Sequence, residues 1–267
     1  MSVVPVFLYH AVSDDSPSWL AQFTVGPRTF VEQLDMIAGS GLHVIPLRRL
    51  VAAQAGGPPV PPRSAVLTFD DGYADFASTV APLLAARGLP ATLYVTTGAL
   101  EPSGRGPFPS VATLTWDQVR ELDRAGVEIG GHTETHPQLD TLPRASAREE
   151  VEGCKRRIED ELGHGVDSFA YPHGYSSRTV RALVREAGWT SAAAIRAASA
   201  FSSEGDDPLR FARLMVRADM GRDRFALWTS GEGAPVAPFA EGLRTRGWRA
   251  YRRARAVTGL PYRAIPA

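Results

Sequence analysis

The sequence predicts an α/β fold built as a parallel-stranded barrel of seven or eight β/α units. Three observations carry this reading. Short β-rich runs alternate with helical windows along most of the chain, which implies a mostly parallel sheet. Seven or eight such units within 267 residues suit one barrel better than two separate domains. Gly88, Gly126, Gly163 and Gly188 each sit just past a helical run, where a helix-ending left-handed residue belongs.

Taken in order, strands are expected at 4–9, 43–46, 65–69, 91–95, 127–129, 168–171, 191–195 and 214–217. Helices are expected at 28–38, 47–54, 73–87, 116–125, 144–162, 177–187 and 222–229. Segments 52–64 and 101–110 are rich in Pro and Gly and read as surface loops, the second overhanging one rim. The barrel is assigned to 1–235 and a basic, helical tail to 236–267.

Composition bounds the function. The chain is 44% hydrophobic and 22% charged, enough for a real core. Its formal net charge is zero, so no global field favours nucleic acid. Cys154 is the one cysteine, which excludes an intrachain disulfide. Residues 1–12 lack a positive n-region and a cleavage site, and their apolar run is too short for a membrane span. The sequence therefore reads as cytoplasmic.

In such barrels, chemistry sits at the C-terminal ends of strands. His10 ends the first apolar run, although alone it reads as a strand cap. Asp70-Asp71-Gly72 ends the third. Two adjacent carboxylates repel unless a cation or hydrogen bonds hold them. Because neighbouring side chains leave a strand in different directions, one can bind a metal while the other faces substrate or water. The alternative is a surface Asp-Gly turn. His132 and His136 follow the fifth run, four residues apart, a spacing that puts both rings on one side in a helix or tight turn. Two His and one carboxylate form a common set for catalytic Zn²⁺ or a similar divalent ion. His43 and His164 have no such context. Tyr171-Pro172-His173-Gly174 supplies a fixed turn whose N–H groups can face an oxyanion.

Together "TFDDG", "HTETH" and "AYPHG" resemble, in order and spacing, the polysaccharide deacetylases with a NodB homology domain, carbohydrate esterase family 4. The resemblance spans roughly residues 3–216. It implies a distorted (β/α) barrel that removes acetyl groups from sugar polymers with a divalent metal, Zn²⁺ before Co²⁺, Ni²⁺ or Mn²⁺. It makes Asp70 the catalytic base, Asp71, His132 and His136 the metal ligands, and the His173 N–H the oxyanion donor. Two departures stand out. Where many members carry an Arg that orients the base, this chain has Ala170, and Arg213 in "FARLMV" is the candidate replacement. The late His that serves as general acid in many members is also absent, since no His follows His173. The N-terminal Tyr-His element resembles the permuted poly-N-acetylglucosamine deacetylases, in which the acid-bearing strand comes first. His10 is then the acid candidate, and Tyr9 packs.

The reading is a metal-dependent N-deacetylase acting on an N-acetylhexosamine glycan or glycoconjugate. The alternatives are an O-acetyl esterase or small-molecule amidase using the same site, and an inactive sugar-binding module. The tail adds Arg244, Arg246, Arg249, Arg252, Arg253 and Arg255 with no acid after Glu241. Phe239, Leu243, Trp248, Tyr251 and Val257 are spaced roughly as one helical face. Such a helix either packs on the barrel with a solvated Arg face or contacts an anionic membrane or polymer.

Overall fold

The computed structural model describes residues 3–100, 107–194, 200–203, 205–238 and 243–258. Ile195, Phe239, Glu241 and the first part of the expected 101–110 loop lie outside the described residues.

Six parallel strands form most of a ring: β1 (Val6–Tyr9), β2 (Ser64–Phe69), β3 (Thr92–Val95), β4 (Glu128–Gly131), β5 (Ser168–Ala170) and β6 (Ser191–Ala194). The seventh position is split. Phe211–Ala212 pairs with β6, and Leu214–Met215 pairs with β1. Arg213 alone separates the two halves, so the ring closes at that residue. We call this broken strand β7 (211–215).

The strands are apolar on both faces because helices cover the outside and side chains fill the inside. The alternation is visible residue by residue. Val6, Val66, Tyr94, Ala170, Ala193 and Phe211 pack together within the barrel. Phe7, Tyr9, Leu67, Phe69, Leu93, Val95, Phe169 and Tyr171 join the larger core under the helices. This parity places the site. Continuing the inward rows leads to His10 after Val6 and Leu8, to Asp70 after Val66 and Thr68, and to Arg213 after Phe211. Tyr9, one residue off, faces outward as expected. It stacks on Phe69 and donates its hydroxyl to Gln33 Oε1 at 2.9 Å.

The helices are α1 (Pro27–Gly39), α2 (Leu47–Gln54), α3 (Ala81–Ala85), α4 (Trp116–Arg124), α5 (Arg144–Leu162), α6 (Arg178–Glu186), α7 (Arg222–Thr229) and α8 (Leu243–Val257). Each of the four predicted helix-ending glycines has φ between 62° and 94°.

Three elements differ from expectation. The segment expected as strand 43–46 is only His43–Val44, which pairs with Ser64–Ala65 ahead of the point where β3 joins at Thr68. Among the described residues the ring then has seven strand positions, within the expected seven or eight. The expected strand 4–9 breaks at Pro5, which has no N–H for a ladder; Val3–Val4 pairs instead with Ser202–Ser203. The helix expected over 73–87 begins as a π-type turn, Phe76–Val80, and becomes α-helical at Ala81. Pro82 lacks the N–H that would bond the Ser78 carbonyl, so the preceding ladder is wider.

Gly130 and Gly131 end β4 where space is shortest. A Cβ on Gly130 would lie 2.6 Å from the Ser168 carbonyl oxygen and 2.7 Å from the Tyr94 ring. One on Gly131 would lie 2.6 Å from the Trp189 ring and 2.9 Å from Cys154 Sγ. Both neighbours of Gly131 are buried and cannot yield cheaply. Gly131→Ala should therefore cost about 1–3 kcal/mol, the usual range for overpacking, in urea denaturation with an unchanged m-value. An unchanged midpoint would show that Trp189 can move aside.

Candidate active site

The inward rows converge at the C-terminal mouth of the barrel. The Asp70 N–H bonds the Tyr9 carbonyl at 3.0 Å, which sets His10 and Asp70 side by side. Arg213 enters from the closing strand. Its Nη1 and Nη2 donate to Asp70 Oδ1 and Oδ2, both at 2.7 Å, and Nη1 also reaches Thr68 Oγ1 at 3.3 Å. Arg213 is fully buried and Asp70 is 3% exposed. A two-pronged pair of this kind fixes both carboxylate oxygens at once.

Asp71 turns the other way because its backbone is left-handed, with φ 77°, followed by Gly72 at 84°. That turn carries its carboxylate into the barrel mouth rather than out under the helices. Oδ1 lies 3.4 Å from His132 Nε2 and 3.3 Å from His136 Nε2. Burial alone would raise the Asp71 carboxyl, but His136 and His132 beside it hold it well below the usual carboxylate range.

The two histidines are placed by a tight turn, not a helix. Thr133 has φ 69° and His136 has φ 59°. The His136 N–H bonds Thr133 Oγ1 at 3.0 Å. Glu150 of α5 accepts the N–H groups of Glu134 and Thr135, both at 2.9 Å. His132 Nδ1 lies 2.8 Å from the Ala170 carbonyl oxygen. A carbonyl only accepts, so Nδ1 carries the proton and Nε2 keeps its lone pair for a ligand bond.

These residues fit a divalent ion. The three donor atoms lie within 4.8 Å of one another. Asp71 Oδ1 is buried and makes no hydrogen bond in the protein. Ligand bonds of about 2.0–2.1 Å at tetrahedral angles put donors about 3.3–3.4 Å apart, which matches the two Asp71–His distances. Three protein donors is the number that catalytic rather than structural sites supply.

His173 sits opposite, its ring centroid 4.7 Å from that of His136. Its backbone is left-handed (φ 58°), inside a short turn over Pro172–Gly174. Burial, with His132 nearby, pushes its imidazole down to about 4. The His10 ring lies tilted against Phe23 with centroids 5.0 Å apart, and its buried Nδ1 makes no hydrogen bond. Burial lowers its imidazole below the ordinary value, against the pull of Asp71 and Asp70. All seven predicted site residues therefore meet at one mouth.

The model of the polysaccharide deacetylase family matches residues 57–192, just over half of the chain. This chain belongs to that family. The match covers Asp70, Asp71, His132, His136 and His173, while His10 and Arg213 fall outside it. The YxkH protein of Bacillus subtilis is 21% identical over 180 residues, 67% of this chain and 60% of that one. The poly-β-1,6-N-acetyl-D-glucosamine N-deacetylase of Escherichia coli (strain K12) is 34% identical over 110 residues, 38% of this chain and 16% of the enzyme. The chain thus spans less than two thirds of the length of either relative. The structure of IcaB from Ammonifex degensii superposes with a TM-score of 0.74 at 22% identity, covering 86% of this chain and 97% of that one. It shares the barrel fold.

The sequence did not single out the outer support of this family site. Arg252 of α8 is buried and donates to Asp140 through two contacts of 2.9 Å and to Gln138 at 3.0 Å. Its guanidinium lies 3.4 Å from the centroid of the Tyr175 ring. Trp248 Nε1 donates to the Tyr175 hydroxyl at 3.0 Å. Six arginines in one run give no signal for which is buried. The expected single apolar face of the tail is also split: Trp248 leans on Tyr175, while Leu243 and Val257 face outward.

Two outcomes separate the neighbouring carboxylates. In calorimetric titration with Zn²⁺, Asp71→Asn should weaken binding at least 100-fold, whereas Asp70→Asn should stay within about tenfold. Equal losses would contradict the division. Arg213→Met should destabilise by about 3–5 kcal/mol, because it leaves Asp70 buried and unpaired; adding Asp70→Asn should recover part of that loss.

Proposed function

We propose that the chain is a metal-dependent deacetylase that hydrolyses N-acetyl groups on an N-acetylhexosamine glycan. The observation that carries this is the split of two adjacent carboxylates. Asp71 joins His132 and His136 in a three-donor set, while Asp70 is held beside that set by Arg213, with Oδ2 3.8 Å from His132 Nε2.

A divalent ion on Asp71, His132 and His136, taken as Zn²⁺ with Co²⁺, Ni²⁺ or Mn²⁺ as substitutes, lowers the pKa of water and polarises a carbonyl. Asp70 takes one proton from the attacking water, and Arg213 keeps its carboxylate aimed at that point. The water oxygen bonds to the acetyl carbon, and the His173 N–H donates to the resulting oxyanion. As the C–N bond breaks, His10 gives a proton to the sugar nitrogen, so acetate and a free amine leave. The unpartnered Nδ1 of His10 and its position level with Asp70 support this role.

Two facts support a sugar. The Escherichia coli relative is named for an N-acetylglucosamine polymer. A cavity of about 450 Å³ begins next to His10 at Ala11, and its lining mixes Ser13, Asp15, Ser16, Asp75 and Ser110 with apolar residues such as Pro17, Leu20 and Val111. Hydroxyls and carboxylates there suit sugar hydroxyls. Burial raises the Asp75 carboxyl to about 6, against a 2.6 Å hydrogen bond from the Val12 N–H.

Acetate release from β-1,6-linked N-acetylglucosamine oligomers, measured beside acetylated xylan with added Zn²⁺, Co²⁺ or Ni²⁺, tests the proposal. Turnover of the oligomers is expected, and Asp70→Asn or His10→Ala should lower it by about 10²–10⁴. Variants working at the wild-type rate would refute the assigned roles. Activity on xylan alone would make the chain an O-acetyl esterase.

A further inference from the structure

Helix α8 is an amphipathic helix placed back to front. It grips the barrel with polar groups, through Arg252 on Asp140 and Tyr175 and Trp248 on Tyr175. Most of its remaining apolar residues face solvent, Ala256 being half-buried. Leu243 is 81% exposed and Val257 89%. Gly247, Ala250 and Ala254 between them are exposed as well. At 100° per residue these five fall within about 80° of arc, one continuous stripe. Arg246 and Arg253, both exposed, border the stripe on one side. Tyr251, 47% exposed, borders it on the other, with Trp248 (37%) beyond it, the two rings stacked at 5.5 Å.

Charge points to the occupant. The helix carries six of the chain's 29 Lys and Arg residues and no acid, while the whole chain is neutral. The rest of the protein therefore carries a net charge of minus six, so taken as a whole it attracts an anionic surface less than this helix does. An apolar stripe edged by arginines and by a Trp–Tyr pair matches the headgroup layer of an anionic bilayer. Arginine stems lie along the acyl boundary with their heads at the phosphates, and aromatic rings sit at the interface.

We propose that the outward face of α8 docks the protein on an anionic lipid bilayer. Arg252 bridges the segment after His136 and the turn after His173, so a docked bilayer lies next to the mouth that holds the site. The proposal rests on surface chemistry and is independent of the reaction.

Vesicle flotation with the full chain tests it, using phosphatidylcholine vesicles alone and vesicles with about one-third phosphatidylglycerol. Flotation is expected only with the anionic vesicles, and about 0.5 M salt should weaken it. Arg246→Gln should weaken binding roughly fivefold, the effect of one Arg at an anionic surface. Leu243→Ser combined with Val257→Ser should weaken it too, with far-UV circular dichroism and melting unchanged in both variants. No flotation with anionic vesicles, or undiminished flotation of the Gln variant, would overturn the proposal. So would a dimer in light scattering that the Ser variant dissociates, since the stripe would then be covered by a second copy.

Discussion

The buried pair between Arg213 and Asp70 is the constraint around which the rest of the mouth is arranged. Arg213 is the single residue at which the ring of strands closes, and its guanidinium holds both oxygens of a carboxylate from the second strand. A lone buried charge at either position would be costly, and the pair offsets that cost only while its geometry holds. Closure of the barrel and placement of Asp70 are thus one event. The pair also bears on which carboxylate is free to join the histidines. With both oxygens held, Asp70 is not free to swing onto the histidines, and that part falls to Asp71.

Small residues make this possible. Gly130 leaves room for the Tyr94 ring, which lies 5.5 Å from the Arg213 guanidinium and bonds Ser168 through its hydroxyl at 2.7 Å. Ala170 and Ala193 line the same interior. Many family members place an Arg at the position of Ala170. Here that residue offers only its carbonyl, which orients His132, and the guanidinium arrives from the closing strand instead. A guanidinium from a different strand can reach Asp70 because every strand end opens onto one mouth.

Much of this was legible in the sequence because strand parity and motif spacing are local. Apolar runs ending in His10, Asp70 and His132 mark strand ends, and the family resemblance, with Ala170 where many members carry Arg, is what pointed to Arg213. Other features depend on choices that residue type does not encode. Asp71, Thr133, His136 and His173 all adopt left-handed backbone without being glycine, a conformation that costs energy and persists only where surroundings impose it. Here Glu150 and the Thr133 hydroxyl hold the histidine turn. Seven and eight strands were both open in sequence, and the choice turned on two residues, His43 and Val44, which pair too early along their neighbour. The docking of α8 through Arg252 was hidden because one buried arginine looks in sequence like Arg246, Arg249, Arg253 and Arg255 beside it, which are exposed or half-exposed.

The central claim is that Asp71, His132 and His136 hold a divalent ion while Asp70 stays on Arg213. Anomalous diffraction at the cobalt edge, from crystals of the Co²⁺-loaded protein, tests this most directly. The account predicts one strong peak about 2.0–2.2 Å from Asp71, His132 Nε2 and His136 Nε2, with the Asp70–Arg213 pair intact. A peak bound by Asp70, or loading only at the Asp75 cavity, would contradict it.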